Sequence, residues 1–209
     1  ESQVFFTDIF NDIRQKQRAG LLSSVFLLSV FLTANGVSSI FSSFEGSYHV
    51  ELSRSFIRQY LYSMMVGILL ALLLLVGVMA FVFFEIFILS NLDELIPSEI
   101  NWIRIGQLFF YTILIYITVA ILYYFGTIEG KKTHFFSPGA LMSCLLILLT
   151  TYLFGIYIEN FSRYNQLYGS IGALLIFLFY IWLNSSLLLL GFELNATLNR
   201  LKNSEKDSS

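Results

Sequence analysis

Charge is what this sequence has least of. Only 12% of its 209 residues are Asp, Glu, Lys or Arg, against 56% that are hydrophobic. An ordinary soluble domain carries about 25% charged residues. A chain so composed cannot cover its own surface with charge, so the class is integral membrane protein. Net charge is −2, and no bulk basic field recruits nucleic acid. The single cysteine, Cys144, lies inside an apolar run; it excludes an internal disulfide and leaves the redox compartment unspecified. The two histidines, His49 and His134, sit in separate polar stretches without a clear carboxylate partner, a poor start for a metal site. Catalytic signatures are missing as well: no H-E-x-x-H, G-x-x-x-x-G-K-[ST] or G-x-S-x-G occurs. Ribonuclease chemistry would need paired acids or histidines beside a basic track, and neither is written here. The reading is therefore no enzyme, no catalytic residue, no metal and no cofactor. No polar stretch is long enough for a domain outside the membrane. Residues 1–20 lack the basic n-region, apolar h-region and cleavage site of a signal peptide, and the absence of an initiator methionine reads as a fragment.

What is present is long apolar runs. A hydrocarbon core about 30 Å thick needs roughly 20 mostly apolar helical residues. Five runs qualify, at about 20–41, 60–89, 103–125, 138–158 and 168–197. A β-barrel needs alternating strands of about ten residues, and LLALLLLVGVMAFVFF does not alternate. The expected fold is an all-α, polytopic transmembrane helix bundle forming a single domain over residues 1–209. Ser137-Pro138 supplies an N-cap followed by proline at the first helical position of the fourth run. Asn35-Gly36 interrupts the first run, and glycines recur at Gly67, Gly77, Gly106, Gly155 and Gly191. Glycine-broken helices can line a transport site, and glycine also simply permits packing.

Lys and Arg in short loops set orientation. One side carries Arg54, Arg58, Lys131, Lys132, Arg200, Lys202 and Lys206; the other carries Arg14, Lys16, Arg18, Arg104 and Arg163. The richer side, with the C-terminus, is placed in the cytoplasm. Residue 1 then lies outside, which calls for an earlier membrane helix as a sixth.

The last run begins YNQLYGSIGA, with amides, phenols and glycines at the mouth of a membrane helix. At about 100° per residue, Gly169, Gly172, Ala173, Ile176, Tyr180, Asn184, Leu187, Gly191 and Asn195 fall within about 140° of arc. The opposite side carries Ile171, Leu174, Leu178, Ile181, Trp182, Leu188 and Leu189. The small and polar face is expected to meet neighbouring helices, with Gly169, Gly172, Ala173 and Gly191 as packing residues; the large apolar face is expected to meet lipid. Asn184, near mid-run, needs a partner away from water: an interhelical hydrogen bond is one reading, a substrate contact the other. Glu193, near the end of the run, reads either as an interfacial carboxylate or as a functional group in the membrane. Tyr168 sits at the outer interface.

YNQLYGSIGALLIFLFYIWLNSSLLLLGFELNATL resembles the C-terminal signature of the YihY / virulence factor BrkB family of bacterial inner-membrane proteins. The matching residues are Tyr164-Asn165, Tyr168 to Ala173, and Leu190 to Ala196. SPGALMSCLL resembles the Pro-Gly-Ala start of the preceding family helix, and YHVELSRSFIRQYL, with Tyr48, Glu51 and Arg54, resembles the first cytoplasmic loop. The resemblance implies six membrane helices with both ends cytoplasmic, the first lying before residue 1. It brings no catalytic residues, and the ribonuclease BN label carried by the family is widely regarded as mistaken.

The leading functional expectation is a transporter or lipid-handling envelope protein of the bacterial inner membrane. The alternative is a scaffold or partner subunit that uses the same small faces to hold a second copy or another envelope protein. Few charges lie deep in the runs, which speaks against an ion-coupled relay and for a lipidic or amphipathic substrate. Arg54 and Arg58, with Lys131 and Lys132, can touch anionic headgroups or can simply set topology. Membrane lipids are the expected partners; nucleic acid is not.

Overall fold

The computed structural model describes residues 19–47, 55–84, 86, 102–126, 135–161 and 165–207. Among the described residues there are five helices: α1 (Ala19–Ser47), α2 (Phe56–Phe83), α3 (Trp102–Gly126), α4 (Pro138–Phe161) and α5 (Asn165–Asp207). Each holds a stretch long and apolar enough to cross a membrane: Ser23–Gly46, Phe56–Phe83, Ile105–Gly126, Pro138–Glu159 and Gly172–Lys202. The fold is thus an all-α membrane bundle. In hydrocarbon the backbone must satisfy its own hydrogen bonds, and uninterrupted helix does so.

That requirement explains where the helices depart from the apolar runs. Asn35-Gly36 does not interrupt α1, which passes through both residues without a break. Ser39 Oγ donates to Asn35 O at 3.0 Å, and Gly36 faces open space. α1 also continues past the expected end at 41 to Ser47, taking Glu45 into the helix. α5 runs on to Asp207 over 43 residues, about 65 Å at 1.5 Å per residue, roughly twice a hydrocarbon core. Its charged last turns therefore leave the membrane as helix. Residues 1–18, Arg54, Glu85, His49, Lys131, Lys132 and His134 lie outside the described residues, as does any helix before residue 1.

α1 packs along α2, and α4 along α5; α3 bridges α2 and α4, while α1 touches α3 and α5 to close the ring. Burial is uneven along these helices. The core joins Val37, Phe41 and Phe44 of α1, Val66 of α2, Val119 to Tyr123 of α3, Ala140 of α4 and Phe192 of α5. These positions share one end of the bundle, here called the packed end: the C-terminal halves of α1, α3 and α5, with the N-terminal halves of α2 and α4. Phe44 stacks on Phe192 at 4.5 Å, and Tyr123 meets both rings edge-on at 5.6 and 5.9 Å. At the opposite end, here called the open end, contacts among the described residues are pairwise. Gly77 of α2 takes Leu114 of α3, Phe81 packs on Phe110 and Tyr111, and Phe154 of α4 lies on Tyr180 of α5.

One expectation for α5 is corrected. Leu188 and Leu189 do not face lipid; both pack against the core. α1 gives the packed end of α5 a second covered side, and lipid tails are as apolar as a protein core, so hydrophobicity cannot separate the two environments. Leu174, Leu178, Ile181 and Trp182 of the same face are exposed.

Candidate functional site

The seam between α4 and α5 is where polar chemistry and open space meet. Its packed half is a knot of three helices. Ser137 precedes α4, Pro138 starts it, and Gly139 and Ala140 follow. The first amides of a helix have no partner within it. Ser137 Oγ accepts the Ala140 amide at 3.3 Å, the ordinary role of an N-cap serine. The Gly139 amide instead donates to Asn195 Oδ1 of α5 at 2.7 Å, and Asn195 Nδ2 donates to Ser137 Oγ at 2.7 Å. One buried amide side chain thereby satisfies the start of a neighbouring helix.

Close approach makes this geometry available. A Cβ on Gly139 would overlap Gly191 O and lie 2.6 Å from Asn195 Oδ1. A Cβ on Gly191 would overlap Ser143 Oγ and lie 2.7 Å from Gly139 O and from the Tyr123 hydroxyl. Without a hydrophobic drive between helices in lipid, small residues and interhelical hydrogen bonds hold such crossings. Here the bonds run from α3 and α4 to carbonyls of α5. Tyr123 Oη lies 2.6 Å from Leu188 O and 2.6 Å from Ser143 Oγ, and Ser143 Oγ lies 3.0 Å from Leu187 O. Three short contacts share two hydroxyl protons. When Ser143 donates to Leu187 O, Tyr123 donates either to Ser143 Oγ or to Leu188 O.

Further along the seam, toward the open end, contact thins. Thr151 Oγ1 donates to Ile147 O at 2.7 Å, so the Tyr180 hydroxyl is the donor in its 2.8 Å contact with Thr151 Oγ1. Asn184 Nδ2 donates to Tyr180 O at 2.8 Å. Its Oδ1 is buried and has no hydrogen-bond partner among the described residues. Beyond this point α4 and α5 part around an apolar groove of about 480 Å³, walled by Thr150, Leu153, Phe154 and Tyr157 of α4 and Leu175, Ile176, Phe179 and Leu183 of α5. Leu153, Leu175 and Phe179 are exposed on its rim. A smaller cleft of about 240 Å³ lies between α1 and α5. Its serines, Ser43, Ser185 and Ser186, each donate to the carbonyl four residues back.

The sequence-derived candidates distribute unevenly over this site. Gly191 is buried at the knot. Gly172 is half-buried, whereas Ala173, expected on the packed face, is exposed. Tyr168 and Gly169 belong to the backbone of α5, and their side chains lie outside the described residues. Asn184 makes no interhelical bond among the described residues; its amide turns back onto its own helix. Glu193 is half-buried, one turn before Thr197, whose hydroxyl donates to Glu193 O at 2.9 Å. Arg58 is exposed at the start of α2 and far along the chain from the seam; Arg54 lies outside the described residues. Among the described residues no group of three His, Cys, Asp or Glu could hold a metal ion.

The residues that sequence reasoning missed are Ser137, Gly139, Ser143, Tyr123 and Asn195 as one cluster. Two signals pointed at it: SPGALMSCLL and LGFELNA are among the stretches that carry the family resemblance, and they touch each other through Gly139 and Asn195.

The family model described as virulence factor BrkB matches residues 1–209. The chain belongs to the virulence factor BrkB family. Among relatives, a ribonuclease-like protein, YfkH, of Bacillus subtilis (strain 168) is 29% identical over 191 residues, covering 89% of this chain and 68% of that protein. A UPF0761 membrane protein of Xanthomonas oryzae pv. oryzae is 38% identical over 61 residues, 29% of this chain and 14% of that protein. Another, from Psychrobacter sp., is 46% identical over 57 residues, 27% of this chain and 11% of its own length. The matched part of this BrkB-family chain thus spans about two thirds of the Bacillus relative and a small part of the UPF0761 proteins. No solved structure matches it.

Proposed function

We propose that this chain is the membrane core of a transporter or lipid-handling protein of the bacterial inner membrane, with no enzymatic role. The observation that carries the reading is the division of the α4–α5 seam: knotted by hydrogen bonds at one end, parted around an apolar groove at the other. Transport folds rock one bundle against another around a fixed binding site, and a seam that is tightly bonded along one half and grooved along the other offers such a site. The substrate class follows from what lines the seam. The apolar spans carry no Asp, Glu, Lys or Arg between residues 60 and 84, 105 and 126, 138 and 158, or 172 and 192. Ion-coupled transporters place ionisable groups at such depths, so a lipid or another amphipath fits better than a charged solute.

Orientation follows from basic residues. Arg58, Arg200, Lys202 and Lys206 belong to helix ends on the packed side, and the segments bearing Arg54, Lys131 and Lys132 connect helix ends on that side. By the positive-inside rule the packed end and the C-terminus face the cytoplasm, where these cations can meet anionic headgroups. The test is reconstitution of the full-length protein into liposomes carrying fluorescent phospholipids, with a membrane-impermeant quencher reading the outer leaflet. Flipping faster than in protein-free liposomes is expected; an identical rate across the common phospholipid headgroups would overturn the proposal.

A further inference from the structure

Resting on the lipid-handling reading, we propose that the α4–α5 groove is a binding site for one acyl chain of a phospholipid from the adjoining leaflet, its headgroup end at Tyr157 and its methyl end at Thr150.

Depth is the first argument. The α4 span is Pro138–Glu159, so Thr150 lies near its middle and Tyr157 two residues from its end. The seven residue steps from one to the other rise about 10 Å, most of the roughly 15 Å that one leaflet contributes to a 30 Å hydrocarbon core. The groove therefore starts at the interface, runs inward through one leaflet and stops at mid-membrane. That is the path of a lipid tail. A tyrosine at the outer end is the residue type that prefers the headgroup boundary.

Chemistry is the second. Apart from two hydroxyl-bearing side chains, Thr150 and Tyr157, the walls are leucine, isoleucine and phenylalanine. Among the described residues that wall the groove none carries an amide or a charge, so these walls select a chain rather than a headgroup. At the inner end the walls stop being apolar: Leu183 is followed by Asn184, whose buried oxygen begins the polar half of the seam. A hydrocarbon tail gains nothing by going further.

The third argument is that the groove is held open. Phe154 packs on Tyr180 at 4.6 Å between ring centres, and the Tyr180 hydroxyl reaches Thr151 Oγ1 at 2.8 Å. These two contacts set the separation of α4 and α5 toward the inner end of the groove. The exposed ridge of α2, with Leu72, Val76 and Met79, meets the same hydrocarbon and lines neither of the two clefts described above, so it serves as the internal control.

The experiment places the photo-cross-linking residue benzoylphenylalanine at position 175, or at position 72, in the full-length protein. Each form is reconstituted in phosphatidylcholine vesicles bearing a clickable acyl chain. A phospholipid adduct severalfold stronger at 175 than at 72 is expected, falling to the level of 72 when Leu153→Trp fills the groove. Equal labelling at both positions means bulk lipid only and overturns the site. Cross-linking of position 175 to a peptide, whether of this protein or of another, shows a protein-covered groove and overturns it too. The flip assay on the same vesicles separates the two ideas: flipping without a selective adduct removes this site alone, and a selective adduct without flipping removes the transport reading alone.

Discussion

Asn195 of α5 caps α4: its Oδ1 accepts the backbone amide of Gly139 at 2.7 Å, while its Nδ2 donates to Ser137 Oγ at 2.7 Å. The helix start is thus completed by a residue 56 positions downstream, and the capping bond doubles as a helix–helix bond.

Asn195→Ala should therefore destabilise out of proportion to its size. It strands a buried amide donor and removes a bond to the cap serine, a loss of about 1–3 kcal/mol. Thermal unfolding of the purified full-length protein in detergent should show a lower Tm than the parent; an unchanged Tm would mean that water replaces Asn195 at the helix start.

Gly191→Ala adds one methyl group where Ser143 Oγ, Gly139 O and the Tyr123 hydroxyl already crowd. Overpacking of this kind costs about 1–3 kcal/mol. Gly155→Ala, which meets open space, is the matched control and should be neutral. Folded yield by size-exclusion chromatography compares them directly, and equal yields would refute the close crossing.

Tyr123→Phe and Ser143→Ala should each cost little, about 0.5–1.5 kcal/mol. The carbonyls of Leu187 and Leu188 keep their helical amide partners, and two protons were already shared over three contacts. Because the hydroxyls act on each other, the double variant should cost less than the sum of the singles. A double-mutant cycle on unfolding free energies checks this; strict additivity would show that the 2.6 Å contact carries no energy.

Asn184→Leu removes a buried oxygen that has no hydrogen-bond partner among the described residues and a bond that only returns to its own helix. Tm is expected to hold or rise, since an unpaired buried acceptor is itself a cost. A fall of several degrees would reveal a partner for the amide.

The membrane spans were legible because low charge and run length leave no other architecture. Helix ends were less so. Glu45 reads as a loop residue by its charge, yet lies in α1, and the polar tail of α5 stays helical through Lys202 to Asp207. Periodicity along α5 put Tyr180, Asn184, Gly191 and Asn195 on one face, and the structure has the last two buried. It could not say which neighbour they meet, because Gly139 and Asn195 are far apart in sequence and each alone has many ordinary uses. Ala173 shows the same limit: a small residue at the right angle on the helix is exposed all the same.

The uneven seam gives the bundle a mechanical advantage. From Gly191 to Leu175 is about 24 Å of rigid helix, so a rotation of about 10° at the glycine crossing would sweep the groove rim through about 4 Å. Such a swing is opposed on the groove side by the Tyr180–Thr151 hydrogen bond and the Phe154–Tyr180 ring contact, so the width of the seam is set at two heights rather than one.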